Sequence, residues 1–359
     1  MQINKFRSHT CGELTSKNIE NNVKLSGWVH TIRDHGGVVF FNMRDRYGIT
    51  QVVCDTNQTP ELAELAKNLH NEYLVEVEGI VRSRPDDAFN SNMVTGEIEV
   101  VASKIEILNK SKRLPFEINT DDSINDQMLL KYRYLHLRRP KAQSIIIQRY
   151  KVTKAVRDFF HKEGFLELET PLLTKTTPEG ARDFLVPSRL YPGTFYALPQ
   201  SPQQYKELIM VAGFDKYFQI ARAMRDEDPR IDRQAEHTQI DMEMSFVERD
   251  DVIDVIERLI TEVTENHSDK KLLFKPFPKI SFKEAMEKYG SDKPDLRFKM
   301  EIKNITDQVK NCKFRVFTGA IENKGEIRGI VVPGCGNYSR KQLNGVIEIG
   351  KNYGLKGLV

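Results

Sequence analysis

Apolar residues fall at alternate positions in short runs over the first third of the chain: Val23 to Thr31, Val38 to Met43, Ile49 to Cys54, Leu74 to Val81 and Glu97 to Val101. A two-residue period places one side-chain set inward and the other outward, as in a half-buried strand. Five such runs divided by turn residues predict a small barrel, with a helix over Pro60 to Leu69 between the third and fourth. After residue 140 the period changes. Ile145, Ile146, Val152, Val156, Phe159 and Phe160 recur at helical spacing from Lys141 to Lys162, and Gly164 marks a C-terminal stop.

A short strand over Phe165 to Glu169 is expected next, ended by Thr170-Pro171, because proline biases the residue before it away from helix. Thr174 to Ala181 is polar, with Pro178 and Gly180 around Glu179, and reads as a lid-like loop presenting one carboxylate. Lys216 to Glu227 reads as extended. Alternation then turns Tyr217, Gln219, Ala221, Ala223, Arg225 and Glu227 one way and Phe218, Ile220, Arg222 and Met224 the other. The loop from Asp228 to Glu236 carries Pro229, Arg230, Asp232, Arg233 and Gln234. The return strand sets His237, Gln239, Asp241 and Glu243 against Thr238, Ile240, Met242 and Met244. The hairpin is expected to bury its methionines. An antiparallel hairpin with one solvated face is the ordinary alternative. Against it stands Leu198 to Lys206, a third polar segment with amide and ammonium donors beside Pro199 and Pro202.

The order of the first five runs fits an oligonucleotide-binding fold. Phe40 beside Arg33 and Gln51 would offer a stacking surface with donors, the combination used on unstacked RNA bases. The alternative is a Phe40 that merely fills the barrel. Between the two regions, Lys112 to Asn125 and the basic string Lys131 to Pro140 form a linker, either touching phosphate through its Arg and Tyr residues or packing as a hinge helix with a charged outer face.

Composition changes this picture little. A chain of 359 residues, 39% hydrophobic, can bury more than one core, and a net charge of +3 with 29% charged residues permits RNA binding without predicting it. No run is long and apolar enough to span a membrane, and the amino terminus lacks a signal core. Cys11, Cys54, Cys312 and Cys335 show no CxxC pairing, so neither zinc nor a disulfide framework is indicated, and a cytoplasmic location is expected.

Three segments carry a specific resemblance: ETPLLTKTTPEGARDFLVPSR, QSPQQYK and RDEDPRIDRQAEHTQID. From Gly164 to Val247 the chain resembles the catalytic core of a class II aminoacyl-tRNA synthetase of the bacterial aspartyl type, with its first motif and flipping loop, its amino-acid-binding segment and its second motif. GWVHTIRDHGGVVFFNMRDRYGITQVV is similar to that family's anticodon-binding domain. The implied fold class is α+β multidomain: an N-terminal five-stranded OB-fold barrel (1–110), a hinge (111–140), an incomplete antiparallel-sheet catalytic domain with motifs 1 and 2 (141–290), and part of an inserted α/β domain (291–359). The implied reaction is ATP-dependent formation of aspartyl-adenylate and transfer to tRNA(Asp), with Mg²⁺ as cofactor and a homodimer joined near Pro171.

The resemblance assigns Arg225 to the α-phosphate as catalytic cation, and Glu179, Gln203, Lys206, Arg225 and Asp241 to aspartate. Arg225, Asp226, Glu227, Gln234 and His237 fall to ATP, and Arg33, His35, Phe40, Gln51, Arg82, Arg84 and Glu99 to the anticodon; no residue is assigned to a metal. His35 matches members that also charge tRNA(Asn), whereas Asp87, near the second discriminating position, matches neither type. His237 stands where the family carries a phenylalanine on adenine. An imidazole there predicts weaker ATP binding below about pH 6.5, where histidine becomes charged; a flat pH profile of the ATP dissociation constant removes that expectation.

YGSDKPDLRF resembles the point where bacterial members leave the catalytic domain, and Met300 to Val359 the first part of their inserted domain, with Tyr353 to Val359 read as the start of a strand. A chain ending there lacks the family's third motif and is expected to be inactive alone. An asparaginyl- or lysyl-type synthetase, or a tRNA-binding module without catalysis, remain as alternatives.

Overall fold

The computed structural model describes residues 4–120, 123–228, 230, 232–355 and 358. Pro229 of the loop expected from Asp228 to Glu236, and Lys356, Gly357 and Val359 of the expected terminal strand, lie outside the described residues. The chain forms two compact units, Met1–Ile146 and Ile147–Val359.

In the first unit, β1 (Asn22–Asp34), β2 (Val38–Arg44), β3 (Ile49–Asp55), β4 (Leu74–Ser83) and β5 (Ile98–Asn109) close a barrel in the order β1-β2-β3-β5-β4. Helix α1 (Pro60–Lys67) sits between β3 and β4, its proline at the first turn, where a missing N–H costs nothing. The alternation is realised almost residue for residue: Val39, Phe41 and Met43 are fully buried, while Val38, Phe40 and Asn42 between them face outward and are only half-buried. Phe41 belongs to the core and Phe40 does not. Gly79 lets β4 approach β5, since a Cβ there would lie 2.3 Å from the Val101 carbonyl oxygen.

Past the barrel, the linker holds α2 (Asp126–Lys131) and α3 (Arg133–His136). Arg138, at the end of the basic string, is already engaged: it pairs with Glu72 at 2.6 Å and lies 4.5 Å over the Trp28 ring. Glu72 is itself buried and also holds Arg44 at 2.8 Å.

Helix α4 (Pro140–Lys162) ends on Gly164 at φ +81, with the Phe165 N–H donating back to the Phe160 carbonyl at 2.9 Å, a left-handed stop of the glycine type. Ala155, Val156, Phe159 and Phe160 are its covered side, but Ile145 and Ile146 are 62% and 48% exposed, contrary to the inward face that their spacing suggested. The following strand is shorter than expected: β6 is only Leu166–Glu167. A small hairpin, β7 (Leu185–Pro187) and β8 (Phe195–Ala197), leads to α5 (Gln203–Val211), then to β9 (Lys216–Met224) and β10 (Glu236–Met244).

These last two strands pair antiparallel with Asp241 opposite Gln219 and His237 opposite Ala223, and β6 adds to β9 in parallel, giving the sheet order β10-β9-β6. Strand β9 stops at Met224, so Arg225, Asp226 and Glu227 lie beyond it rather than within an extended run. One face of the hairpin packs on α4 and α6 (Arg249–His267): Phe160 stacks on Phe218 at 4.8 Å, and Val255 and Leu259 complete the core. Met242 and Met244 border it half-buried rather than enclosed.

The remainder comprises α7 (Phe282–Tyr289), the short strands β11 (Lys303–Asn304) and β12 (Arg328–Gly329), α8 (Thr306–Val309), α9 (Arg315–Glu322) and α10 (Arg340–Asn352). Tyr353 caps α10 and Gly354 follows at φ +87, so the described part of the expected terminal strand is a helix end.

Candidate functional site

With α4 and α6 on one face of the β9–β10 hairpin, the other presents Tyr217, Gln219, Ala221 and Ala223 beside Glu243, Asp241, Gln239 and His237. Ala221 and Ala223 are both buried and short, so the middle of this face is low, between larger polar groups at either end. From His237 to Asp241 is four strand residues, roughly 13 Å at 3.3 Å per residue.

At the Asp241 end the face meets α5. Gln203 and Lys206 are three residues apart and share one side of that helix. The Lys206 ammonium lies 2.9 Å from Asp241 Oδ1 and 3.1 Å from Glu243 Oε2, with Asp241 only 2% exposed. Burial alone would push the Lys206 ammonium down; hydrogen bonds and charge from Asp241 and then Glu243 outweigh it and hold the group above the usual lysine range. Burial first, and then Asp241, pushes the Tyr217 hydroxyl well above its ordinary value. Gln239 donates to Asp241 Oδ1 at 2.9 Å, whereas Asp241 Oδ2 is buried and has no partner. Two carboxylates thus converge on one ammonium, and one of them keeps an idle acceptor.

At the His237 end, Arg225, Glu227, Asp228, Asp232, Arg233, Gln234, Ala235 and His237 line a cavity of about 400 Å³. The Arg225 N–H donates to the Ala235 carbonyl at 2.8 Å, which fixes the backbone where the strand ends. Among the described residues the Arg225 guanidinium makes no hydrogen bond or ion pair, so a planar, bidentate donor faces open space. Arg233 stands 3.8 Å from Glu227.

The polar loop is tied to both neighbouring segments. Ser201 donates to Glu179 Oε2 at 2.6 Å, and the Gln203 N–H donates to Ser201 Oγ at 3.2 Å. Gln200, 1% exposed, exchanges two bonds with the Ala181 backbone at 2.8 and 3.0 Å. The Asp226 N–H donates to the Arg182 carbonyl at 2.9 Å, joining the loop to the end of β9. Gln200 and Ser201 fall in the polar Leu198–Lys206 segment and Glu243 on the polar face of the return strand, but none was assigned a role from the sequence. Gln200 could have been, because it directly precedes the Ser201-Pro202 turn of a polar segment.

A second polar cluster covers the barrel. Arg33 donates to Gln51 Oε1 at 3.0 Å, Gln51 to Glu99 Oε2 at 2.8 Å, and Arg82 to Glu99 Oε1 at 2.8 Å. Gln51 and Glu99 point outward yet are 5% and 1% exposed, because these guanidinium groups bond across them. Arg84 is buried and bonds the Ile98 carbonyl at 2.9 Å. His35 is exposed and meets Phe40 edge-on at 5.8 Å, and Asp87 lies exposed in a turn after β4.

Among the described residues no group of three or more His, Cys, Asp or Glu is placed to hold a metal ion. No described helix is long and apolar enough to cross a membrane.

Family models match both the barrel and the region that follows it. The class II tRNA synthetase (D, K and N) model matches residues 125–326, the OB-fold nucleic acid binding domain 23–108, and the GAD domain 317–359. An aspartate–tRNA(Asp/Asn) ligase of Rubrobacter xylanophilus is 51% identical over 99% of this chain and 59% of its own length. One of Moorella thermoacetica is 50% identical over 98% and 58%. The chain therefore spans about three fifths of the length of these relatives. Among solved structures, asparaginyl-tRNA synthetase of Pyrococcus horikoshii, complexed with asparaginyl-adenylate, superposes with a TM-score of 0.68 at 26% identity, covering 87% of this chain and 71% of that one. Aspartyl-tRNA synthetase of Entamoeba histolytica, at 22% identity and a TM-score of 0.64 over 77% and 61%, shares the fold. The chain belongs to the class II tRNA synthetases of the D, K and N group.

Proposed function

We propose that this chain carries the anticodon-reading barrel and the adenylate-forming face of an aspartate–tRNA ligase. The observation that carries the reading is the single hairpin face with a buried Lys206–Asp241 pair, joined by the half-buried Glu243, at one end and an unengaged Arg225 in a cavity at the other. The first end suits an amino acid with both charges: Lys206 takes the side-chain carboxylate, while Asp241, Glu179 and Gln203 supply acceptors and positioning groups around the ammonium. The second suits the nucleotide, with Glu227, Asp226 and Gln234 about the ribose and triphosphate and His237 against the base.

Arg225 then meets charge developing on the α-phosphoryl group as the aspartate carboxylate attacks and pyrophosphate departs. No side chain need act as nucleophile, because the substrate is one. Mg²⁺ would enter with the nucleotide phosphates and neutralise part of their charge. The test is L-aspartate-dependent exchange of pyrophosphate into ATP by the complete protein. Exchange driven better by asparagine or lysine would replace the aspartate reading, and none with any amino acid would leave a binding module.

On the barrel, Arg33, Gln51, Glu99, Arg82 and Arg84 form the reading face and Phe40 its stacking platform. Phe40→Ala should weaken binding of an anticodon stem–loop by about 1 to 3 kcal/mol with little change in melting temperature. Phe41→Ala should instead destabilise the barrel by about 3 to 5 kcal/mol. Equal effects from the two would sink the inside–outside distinction. His35, exposed beside Phe40, supports a further reading in which tRNA(Asn) is charged as well, tested by aspartylation of both transcripts. Leu172 and Leu173, exposed just after Pro171, support a two-fold pairing of this protein through that segment, read out as mass in solution.

A further inference from the structure

Resting on the RNA-reading role of the barrel, we propose that Asn42 is an additional base-reading residue, which accepts a hydrogen bond from a nucleobase of the single-stranded loop next to the base stacked on Phe40. Strand register places it there. Thr31 of β1 pairs with Asn42, Asn42 pairs with Gln51 of β3, and Phe40 lies two residues away on the same outward face of β2. Arg33 pairs with Phe40, so Thr31, Arg33, Phe40, Asn42 and Gln51 form one contiguous patch.

Among the buried side-chain N and O atoms of that patch, all but one are engaged. Arg33 bonds Gln51, Gln51 bonds Glu99, and Asn42 uses its amide N–H to reach Thr31 Oγ1 at 3.0 Å. The exception is Asn42 Oδ1, shielded from water and without a donor. A shielded acceptor left idle is a standing cost that folded chains rarely retain. The Asn42 backbone and Cβ are held by strand pairing on both sides, and its N–H anchors the amide plane, so the oxygen is presented in a fixed direction. Exocyclic amino groups and ring N–H groups of bases are donors of the right kind, and a base splayed onto Phe40 leaves its neighbour unstacked beside the amide. Phosphate offers no donor, so a phosphate contact would not satisfy this atom; a ribose 2′-hydroxyl could, but losing that contact would weaken all loops equally.

The experiment uses the complete protein and anticodon stem–loop RNAs of aspartate tRNA, with each loop base changed singly, and reads affinity together with melting temperature. Wild type should lose affinity at several loop positions. N42A should bind the cognate loop about tenfold more weakly and become indifferent to the base at one position while keeping its preferences at the others. N42D, which retains an acceptor there, should keep the preference at that same position. If N42A weakens all loops equally, or binds them as wild type does, or if N42D loses the preference as N42A does, the inference is overturned. A wild type that binds no stem–loop at all would remove the RNA-reading role itself, and this inference with it; that outcome is separate from the variant results.

Discussion

Arg225→Lys in the complete protein is expected to lower aspartate-dependent pyrophosphate exchange by roughly 10²- to 10³-fold, about 3 to 4 kcal/mol of lost transition-state stabilisation, while binding of L-aspartate alone changes much less. Lysine keeps the charge but presents it as a point, whereas a phosphoryl group gaining charge on two oxygens is matched by the guanidinium fork. The backbone of Arg225 is pinned through Ala235, and its side chain has no competing partner among the described residues, so no internal pair has to be broken when substrate arrives. Exchange within about twofold of wild type in the lysine variant would show that the fork is not used.

Lys206→Met should be nearly as damaging, through a different route. The Lys206 side chain is only 10% exposed, and Asp241, already carrying one unpartnered oxygen, would lose its cation. Breaking one side of such a buried pair costs about 3 to 5 kcal/mol, and urea unfolding should show it. Aspartate-dependent exchange should fail as well. Adding Asp241→Asn to Lys206→Met should restore part of the stability but none of the activity, which separates folding from chemistry. The pH dependence follows from the sign of the Lys206 shift. Its ammonium is held above the usual lysine range when folded, so its stabilisation is full below about pH 10.4 and declines as pH rises through the higher folded value. Wild type should therefore lose more of its stability than Lys206→Met does on the alkaline side, and the two should run parallel near neutrality.

The barrel was readable from its sequence because a period of two sorts side chains without reference to anything distant. Phe40 outward and Phe41 inward follow from alternation, and so do the two faces of the later hairpin. The helix over α4 was equally plain, but which of its sides is covered was not. Ile145 and Ile146 share the helical spacing of Phe159 and Phe160, yet only the second pair meets β9 and α6. Spacing specifies a stripe, and its covering depends on partners far along the chain. For the same reason the Lys206–Glu243 pair escaped notice, since it joins a helix to a strand more than thirty residues later. The resemblance drew Arg225, Gln234 and His237 to one ligand, and the cavity brings them together. It gave no hint that Gln200 and Ser201 would fasten the Glu179 loop.

Because Arg33 and Arg82 lie bonded across Gln51 and Glu99, the barrel surface begins in a latched condition. On the proposed RNA-reading role, an incoming loop would have to compete with these bonds, so discrimination at this surface would be an exchange reaction in which each base is weighed against the internal partner it displaces. A base offering a poor substitute would be rejected by the resealing of the latch, with no steric clash required. Such a surface should let go of wrong sequences faster than it slows the arrival of right ones.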